Sequence, residues 1–299
     1  MKKILITGVN GFLGKALSDE LSKDFKIYGI GYNRLNIKNK NLTKSINKKV
    51  NLHNISNNFK KIDYIIHCAG TGSVKGFNNE KQLKSDVDTT RDVLEYIAKY
   101  SPETKLIYIS SVSVYGDSYK NKIQENCKVN PISIYAKSKI LSEYFCKNYQ
   151  KKFNLSVIIL RVSSLYGDGL KKQVIYDSII KILKNKNFFY GTGNEIRNFL
   201  HINDFISLIY KIIRKNSKNL KLYNCGGDQN IKIVSIINKL KKIIKKKIKP
   251  EFNKFYIKLN PKSLKVDNKK IKEEFKWKPI VKIDDGLKNY YQWYLNQND

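Results

Sequence analysis

The sequence predicts an α/β protein in which a doubly wound parallel sheet is followed by a smaller C-terminal lobe. Three observations lead to this prediction. Short β-branched apolar runs recur through the first two thirds of the chain, amphipathic helical stretches separate them, and the pattern changes near Gly167. Apolar runs of this kind suit strands that are covered on both faces, and strands that alternate with helices form parallel sheets.

The predicted elements follow one another in a regular order. The strands of the main sheet are expected at residues 4–7, 27–30, 64–68, 106–110 and 157–160. After Gly167, helical patterns predominate at residues 174–183, 205–213 and 233–244, and a basic helix is expected over residues 239–249. We therefore expect residues 1–167 to form one domain, part of about 198–225 to return to it, and residues 168–299 to form mainly a substrate lobe.

Length and composition favour a folded cytoplasmic protein. The chain has 299 residues, of which 41% are hydrophobic and 12% aromatic, so it can bury a substantial core. It contains no apolar run long enough to span a bilayer, and its first residues lead into a glycine-rich loop and not into a signal-peptide cleavage site. The four cysteines and three histidines lack metal-ligand spacing, so we expect no metal site.

The net charge of +33 has two interpretations. It indicates either a protein that binds polyanions or a chain whose lysines cover solvated faces. Lysine outnumbers arginine by 53 to 5 and no arginine cluster is present, whereas proteins that read nucleic acids rely on arginine for bidentate contacts. We favour solvated faces and expect no specific nucleic-acid partner, while a general attraction for anionic ligands remains.

The first predicted strand ends in a glycine loop, Gly8-Val-Asn-Gly11-Phe-Leu-Gly14, and a helical pattern begins at once. Glycine allows a tight turn and lets backbone amides approach a pyrophosphate, while the helix N-terminus adds donors and the positive end of its dipole. A strand before the loop and a helix after it indicate a dinucleotide-binding site. The expected cofactor contacts are Gly8, Asn10, Gly11, Phe12, Leu13 and Gly14.

The spacing of this loop, GxxGxxG and not GxGxxG, resembles that of the short-chain dehydrogenase/reductase family in its extended branch, whose members act on nucleotide sugars. The resemblance implies a Rossmann-like dinucleotide-binding domain over residues 1–167 and a nucleotide-sugar-binding lobe over most of residues 168–299. It also implies a nicotinamide cofactor, a nucleotide-sugar substrate and a homodimer.

The region after the second predicted strand favours NADP over NAD. An acidic residue there binds the ribose 2′-hydroxyl of NAD, but residues 27–34 contain no acid. Arg34 lies 20 residues after Gly14, where a cation pairs with the 2′-phosphate of NADP, although a solvated loop residue is the alternative. The resemblance implies four further cofactor contacts, two near the adenine and two where the backbone lies against the cofactor: Asn51, Leu52, Ala69 and Gly70.

Tyr135 and Lys139 lie four residues apart and therefore share one face of a predicted helix. Ser111 precedes Tyr135 by 24 residues, in a run that resembles the family's catalytic-serine strand. A nearby ammonium favours the phenolate of a tyrosine, which can then move a proton at a sugar oxygen that a serine hydroxyl orients. We predict Ser111, Tyr135 and Lys139 as catalytic residues, and Tyr135 and Lys139 also contact the cofactor in the family.

The two residues after Ser111 narrow the choice of reaction. Val112 and Ser113 stand where the related 4,6-dehydratases carry an acidic pair, decarboxylases a glutamate and the fucose-synthase type a cysteine, so those reactions are disfavoured. The missing acid after the second strand favours NADPH-dependent reduction of a 4-keto nucleotide sugar, in a pathway to surface polysaccharide precursors. The alternative is 4-epimerisation of a nucleotide sugar with bound NAD.

Three residues are expected to contact the substrate. Arg197 lies in a segment similar to the family's RDFIHVDD motif, whose arginine contacts the diphosphate of the sugar nucleotide, and a guanidinium suits that contact. Ser164 replaces an asparagine that is common in the family, and Ser113 follows the serine strand.

A second alternative to the reductase belongs to another functional class, that of a non-catalytic regulator or nucleic-acid-binding protein with a Rossmann fold. The intact set of catalytic residues argues against it.

Overall fold

The computed structural model describes residues 1–32, 42–70, 79–117, 121–215, 220–253 and 263–297. Within these ranges a seven-stranded parallel sheet is flanked by helices, which confirms the predicted fold class. Arg34 lies outside the described residues. None of the described helices combines the length and apolar character needed to cross a membrane, and the described side chains form no group of three or more potential metal ligands.

The main sheet has the strand order of a doubly wound nucleotide-binding sheet. All its neighbouring strands pair in parallel. In spatial order they are β10 (Lys221–Cys225), β6 (Val157–Val162), β5 (Lys105–Ser111), β4 (Tyr64–His67), β1 (Lys3–Thr7), β2 (Lys26–Ile30) and β3 (Lys44–Ile46). The chain winds in one direction from β1 to β3 and in the other from β4 to β6. The carboxyl ends of β1 and β4 therefore border the crevice where such sheets bind ligands.

Helices cover both faces of this sheet. Among the described residues they are α1 (Phe12–Leu21), α2 (Leu52–Asn58), α3 (Glu80–Tyr100), α4 (Ile134–Phe153), α5 (Gln173–Leu183), α6 (Ile202–Lys215), α7 (Ile233–Ile244), α8 (Lys269–Phe275) and α9 (Ile283–Asn296). On β1, Ile4 and Ile6 pack with α1, α6 and α8, whereas Leu5 packs with α2, α3 and α4. All three side chains are fully buried, which explains why the strands are apolar without alternation.

A smaller lobe is built from the C-terminal half of the chain. Helices α5, α7 and α9 pack around an apolar cluster that includes Ile179, Ile237 and Leu287. Beside them lie a three-stranded sheet, β11 (Asn230–Lys232), β9 (Ile196–His201) and β7 (Ser164–Tyr166), and a parallel pair, β8 (Phe188–Tyr190) and β12 (Glu251–Asn253). β10 also comes from this half but joins the main sheet beside β6.

The basic helix expected over residues 239–249 is only half correct. Helix α7 ends at Ile244, because Lys245 adopts the left-handed conformation at φ +59° and its N–H bonds back to the carbonyls of the last turn. Pro250 further disfavours helical backbone at Lys249. The lysine-rich residues after Lys245 therefore form a connection to β12 and not a helical face.

Candidate active site

The glycine loop lies at the carboxyl end of β1 and is shaped by close backbone contacts. Gly8 has φ +70°, and a Cβ there would lie 2.8 Å from the Cα of Ala69. A Cβ on Gly14 would lie inside contact distance of the Gly8 carbonyl oxygen. Gly11 is the N-cap of α1 and supplies no side-chain cap, so the first turn presents its backbone N–H groups. The loop thus fits the diphosphate of a dinucleotide.

The other predicted residues of the loop hold it in place. The Nδ2 atom of Asn10 lies 3.5 Å from the carbonyl oxygen of Gly31, which follows β2. Phe12 and Leu13 are half-buried and pack against the core on the α1 face of the sheet. These contacts fix the N-terminus of α1 at the mouth of the crevice, and direct contact of the three residues with a cofactor stays a prediction.

The described residues after β2 carry no carboxylate. Gly31 donates its N–H to the carbonyl oxygen of Ile46 at 3.2 Å, and the side chain of Tyr32 is 75% exposed. Since Arg34 lies outside the described residues, the predicted pairing with a 2′-phosphate stays a prediction.

Asn51 and Leu52 stand at the start of α2. The side-chain oxygen of Asn51 accepts the N–H of Asn54 at 2.8 Å, and the Leu52 N–H bonds to Asp92 on α3. Asn51 is therefore accounted for as a helix cap. Its contact with the adenine stays a prediction.

Ala69 and Gly70 follow β4 on the other side of the crevice from β1. Gly70 has φ +143°, and a Cβ there would lie 3.0 Å from the Oδ2 atom of Asp86 on α3. Ala69 packs against Gly8. Small residues at this edge keep the backbone accessible next to the glycine loop, as cofactor binding would require.

Tyr135 and Lys139 lie on the first two turns of α4, which the hydroxyl of Ser133 caps. The Nζ atom of Lys139 donates to the carbonyl oxygen of Ile109 on β5 at 2.9 Å and lies 5.7 Å from the centre of the Tyr135 ring. Ile109 is two residues before Ser111, where β5 ends. The fold thus brings the predicted catalytic lysine beside the predicted catalytic tyrosine and against the strand that carries the serine.

The hydroxyl groups of Ser111 and Ser113 are joined across a short 3₁₀ turn, Val112–Tyr115. The Oγ atom of Ser111 accepts the N–H of Ser113 at 3.2 Å and lies 3.0 Å from the Ser113 hydroxyl, which donates to it. Because the Ser111 oxygen is the acceptor in both bonds, its own proton can be donated to a substrate oxygen.

Burial and charge together set the protonation of the groups around Lys139. Burial opposes the charge of Lys139, but Tyr108, Tyr135 and neighbouring acidic groups raise its pKa above the usual value. Burial and then Lys139 lower the pKa of His67 to about 3, and burial raises the pKa of Cys68 to about 12 against the effect of Lys139. At neutral pH the site therefore holds a charged ammonium beside a neutral imidazole and a neutral thiol.

Buried hydrogen bonds join the crevice to α4 through His67, a contribution that the sequence analysis did not predict. The Ala69 N–H donates to the Thr7 Oγ1 at 3.2 Å, and Thr7 bonds to the His67 Nδ1 at 2.7 Å. The His67 Nε2 bonds to Thr90 on α3 at 3.1 Å, and the Thr90 hydroxyl lies 3.1 Å from the carbonyl oxygen of Asp86 and 3.2 Å from the hydroxyl of Ser142 on α4. A Thr90 hydroxyl that donates to either of these oxygens accepts its bond from His67, which is then neutral with its proton on Nε2.

A buried ion pair, which the sequence analysis did not predict, also ties α4 to the sheet. Arg161 on β6 donates from Nε and Nη2 to Glu143 at 2.9 and 2.7 Å, and the two side chains are 3% and 0% exposed. Ser110 donates to the same carboxylate at 2.6 Å. Glu143 lies one turn beyond Lys139, so the position of the helix is fixed next to the reacting groups.

Two of the predicted substrate residues lie in the three-stranded sheet of the small lobe. Ser164 begins β7 and pairs with Phe199 on β9, two residues after Arg197. Burial lowers the pKa of Arg197, while Glu195 and Asp117 partly oppose this shift. The described guanidinium bond is from Nη1 to the carbonyl oxygen of Ile196 at 2.9 Å. A desolvated guanidinium of this kind suits a phosphate partner.

Residues 4–226 match the model of the NAD dependent epimerase/dehydratase family. The chain belongs to this family. Membership in the epimerase/dehydratase family confirms the predicted extended short-chain dehydrogenase/reductase class, the Rossmann-like fold and a nicotinamide-dependent enzyme. It supports NAD(P) as the cofactor type, without a choice between the two forms.

Relatives of the chain within the epimerase/dehydratase family match it over nearly the whole length. A putative UDP-glucose 4-epimerase of Methanocaldococcus jannaschii is 29% identical over 99% of both chains. A human dTDP-D-glucose 4,6-dehydratase is 25% identical over 98% of this chain and 90% of its own length. The structure of UDP-glucuronic acid 4-epimerase from Bacillus cereus in complex with UDP-glucuronic acid and NAD superimposes with a TM-score of 0.89, at 25% identity over 99% of both chains.

Proposed function

We propose that this protein is a nucleotide-sugar 4-epimerase that works with a bound nicotinamide cofactor. The observation that carries the proposal is the ammonium of Lys139 beside the ring of Tyr135, at the end of the strand that ends in Ser111. Similarity to 4-epimerases supports this reaction over the reduction that the sequence favours. Val112 and Ser113 supply no acid for the loss of water, which argues against dehydration.

The chain's own residues would move one proton in each half of the reaction. Tyr135 takes the proton of the sugar 4-hydroxyl as the carbon is oxidised and returns it to the same oxygen as the carbon is reduced from the other face. Lys139 stabilises the phenolate form of Tyr135, which accepts this proton in the first step and forms again when the proton is returned in the second. Ser111 donates a hydrogen bond to the sugar oxygen and keeps it in reach of Tyr135.

The residues of the crevice fit a dinucleotide. Gly8, Gly11 and Gly14 would hold its diphosphate in a space that side chains would fill, and Lys139 would contact its ribose. Bound NAD(P) supplies a hydride acceptor that returns the hydride within one turnover. Because the cycle is redox-neutral, the enzyme needs no external supply of reduced cofactor.

The substrate we propose is a UDP-hexose. Arg197 would bind its diphosphate, and Ser113 and Ser164 would contact its sugar. Residues 168–299 would then provide most of the substrate lobe, and residues 1–167, with β10 returned to the main sheet, the dinucleotide-binding domain.

A second candidate is NADPH-dependent reduction of a 4-keto nucleotide sugar. The observation in its favour is the absence of a carboxylate at Gly31 and Tyr32, together with Arg34 in the sequence. A cation there would bind the 2′-phosphate of NADP, whereas NAD enzymes place an acid.

One pair of assays tests both candidates. The purified protein is incubated with UDP-glucose or UDP-glucuronic acid without added cofactor, and the C4 epimers are separated by chromatography. If the protein is a 4-epimerase, the two C4 epimers should interconvert with no net change in absorbance at the wavelength of the reduced nicotinamide. The protein is then given a 4-keto-6-deoxy nucleotide sugar with NADPH or NADH. Stoichiometric loss of reduced cofactor without exchange of C4 epimers would contradict the proposed 4-epimerase and support the reductase.

We also propose that the protein acts as a cytoplasmic homodimer, as the family resemblance implies. Leu141 and Tyr144 on α4 are 41% and 60% exposed, which leaves apolar surface on that helix for a second copy. Sedimentation equilibrium of the wild type and of Leu141→Asp tests this, since a monomeric wild type would contradict the proposal.

A further inference from the structure

The geometry points to a second binding surface on the small lobe, one that docks on anionic lipid membranes. We name it the basic-aromatic patch, and it consists of Lys184, Lys186, Phe188, Tyr190, Lys245, Lys247 and Lys249. The inference concerns where the protein is held and does not depend on the reaction proposed above.

The fold brings the two lysine-rich segments of the patch together. Helix α5 leads into β8, helix α7 leads into β12, and the two strands run in parallel side by side. The N–H of Glu251 donates to the carbonyl oxygen of Asn187 at 2.8 Å where this ladder begins. Lys186 immediately precedes Asn187, and Lys249 comes two residues before Glu251. Lysines that are about 60 positions apart in the chain therefore meet at one end of the lobe.

The positive charge of the patch exceeds the negative charge of its strand pair, where the carboxylate of Glu251 accepts a hydrogen bond from the Asn187 side chain at 2.9 Å. Residues 178–194 and 229–250 contain eleven lysines and neither aspartate nor glutamate. For the ten of these lysines other than Lys181, the described part of the chain records one ion pair, between Lys239 and Asp284 at 2.6 Å. The five lysines of the patch are exposed. Other exposed lysines of the chain do have acidic partners, as Lys15 has in Asp19.

Two aromatic rings stand on the same side of β8. Phe188 is 61% and Tyr190 53% exposed, while Phe189 between them points into the core. Lys181 donates to the carbonyl oxygen of Phe188 at 2.8 Å, and its Nζ lies 4.3 Å from the centre of the Tyr190 ring. The strand is therefore fixed with both rings facing outward. Such rings enter the headgroup region of a membrane while neighbouring ammonium groups contact lipid phosphates.

The composition of the patch favours a lipid surface over a nucleic acid. Residues 178–194 and 229–250 contain no arginine, which is the residue that binds phosphates and bases bidentately in nucleic-acid sites. Lysines act as point charges, which suits the diffuse negative charge of a bilayer. Each lysine near such a surface is expected to strengthen binding about fivefold.

Vesicle sedimentation tests the inference. The wild type should bind vesicles of phosphatidylcholine with about one third phosphatidylglycerol at low salt, and should not bind pure phosphatidylcholine. Replacing Lys184, Lys186, Lys247 and Lys249 by Gln should weaken binding at least about a hundredfold. The charge-matched control replaces Lys26, Lys48, Lys49 and Lys60, which are exposed on the other domain, by Gln and should change binding less than about threefold.

The aromatic rings supply the readout that separates membranes from other polyanions. In Phe188→Trp the new indole should be quenched by brominated lipids in anionic vesicles, whereas Tyr100→Trp, at a residue that is 61% exposed on α3, should not be quenched. Equal loss of binding in both lysine variants would overturn the inference. Duplex DNA that binds more tightly than vesicles, without any quenching of the new indole, would assign the patch to nucleic acid instead.

Discussion

The ammonium of Lys139 is anchored by a neutral backbone carbonyl, that of Ile109 at 2.9 Å. Such an acceptor orients the group without neutralising its charge, so that the full positive charge remains available to stabilise a phenolate. His67 and Cys68 remain uncharged around it because burial shifts their pKa values to about 3 and about 12. At the scale of single residues the site therefore depends on one cation beside one phenol.

Tyr135→Phe should abolish turnover and preserve cofactor binding. The change removes the one group that is proposed to move the proton, so kcat should fall by at least about a thousandfold. The affinity for NAD(P)H, measured by fluorescence titration, should change less than about threefold. Tyr144→Phe, on the exposed side of the same helix, is the control and should keep full activity. An active Tyr135→Phe enzyme would contradict the proposed mechanism.

His67 should make stability fall at acidic pH. Its pKa is about 3 in the folded protein and about 6.5 when it is free, so the unfolded chain binds a proton below pH 6.5 that the folded protein does not. The contribution of His67 to the free energy of unfolding should therefore be fully present above pH 6.5. It should decrease by about 1.4 kcal/mol per pH unit as the pH falls towards 3.

Urea denaturation between pH 6 and pH 4 checks this prediction. In His67→Gln the slope of stability against pH should be smaller by about 1 kcal/mol per unit, whatever the change in absolute stability. His201, whose pKa burial lowers to about 4, should retain its own share of the slope. The exposed His53 provides the control as His53→Gln, and an unchanged slope in His67→Gln would refute the assignment.

At the scale of elements, α4 is fastened to its surroundings at two adjacent residues. The Ser142 hydroxyl bonds to Thr90 on α3, and Glu143 binds Arg161 on β6. Both lie about one turn beyond Lys139. The helix that carries the proposed catalytic pair is thus held from both sides of its buried face, which limits the displacement of Tyr135 relative to the crevice.

Glu143→Gln should be strongly destabilising. The change leaves the buried guanidinium of Arg161 without its counter-charge, and the expected loss in free energy of unfolding is about 3–5 kcal/mol. The control, Glu95→Gln, breaks the partly exposed pair with Lys99 on α3 and should cost less than about 1 kcal/mol. Urea denaturation measures both losses in free energy of unfolding. Similar losses in the two variants would mean that the pair of Glu143 with Arg161 contributes little beyond packing.

Local patterns made the main elements predictable, because each could be read within a few residues. The glycine spacing marks the turn after β1, and the four-residue spacing of Tyr135 and Lys139 marks one helix face. The hydrogen bond from His67 to Thr90 and the pair of Arg161 with Glu143 join different elements, and no local pattern specifies such contacts. The small strands β7, β8, β11 and β12, each three residues long, leave no readable periodicity either.

At the scale of the whole molecule, the charge of +33 should attract any anionic substrate. This field is screened by salt, since the Debye length is about 10 Å at 0.1 M. We expect KM for a nucleotide sugar to rise about three- to tenfold between 20 and 300 mM NaCl, with kcat within about twofold. Steady-state kinetics at constant pH would show this, with sucrose at equal osmolality as the control. A KM that does not change with salt concentration would show that substrate affinity depends only on contacts within the site.

The strand order has a consequence for how the protein can be made. β10 pairs with the outer edge of β6, and α6 and α8 cover the face of the sheet that includes Ile4 and Ile6. A nascent chain that has reached only the end of β6 therefore exposes an open hydrogen-bonding edge and an apolar face that α1 covers only in part, and both promote aggregation. The N-terminal half cannot close its own core on the ribosome until Phe275 has been synthesised.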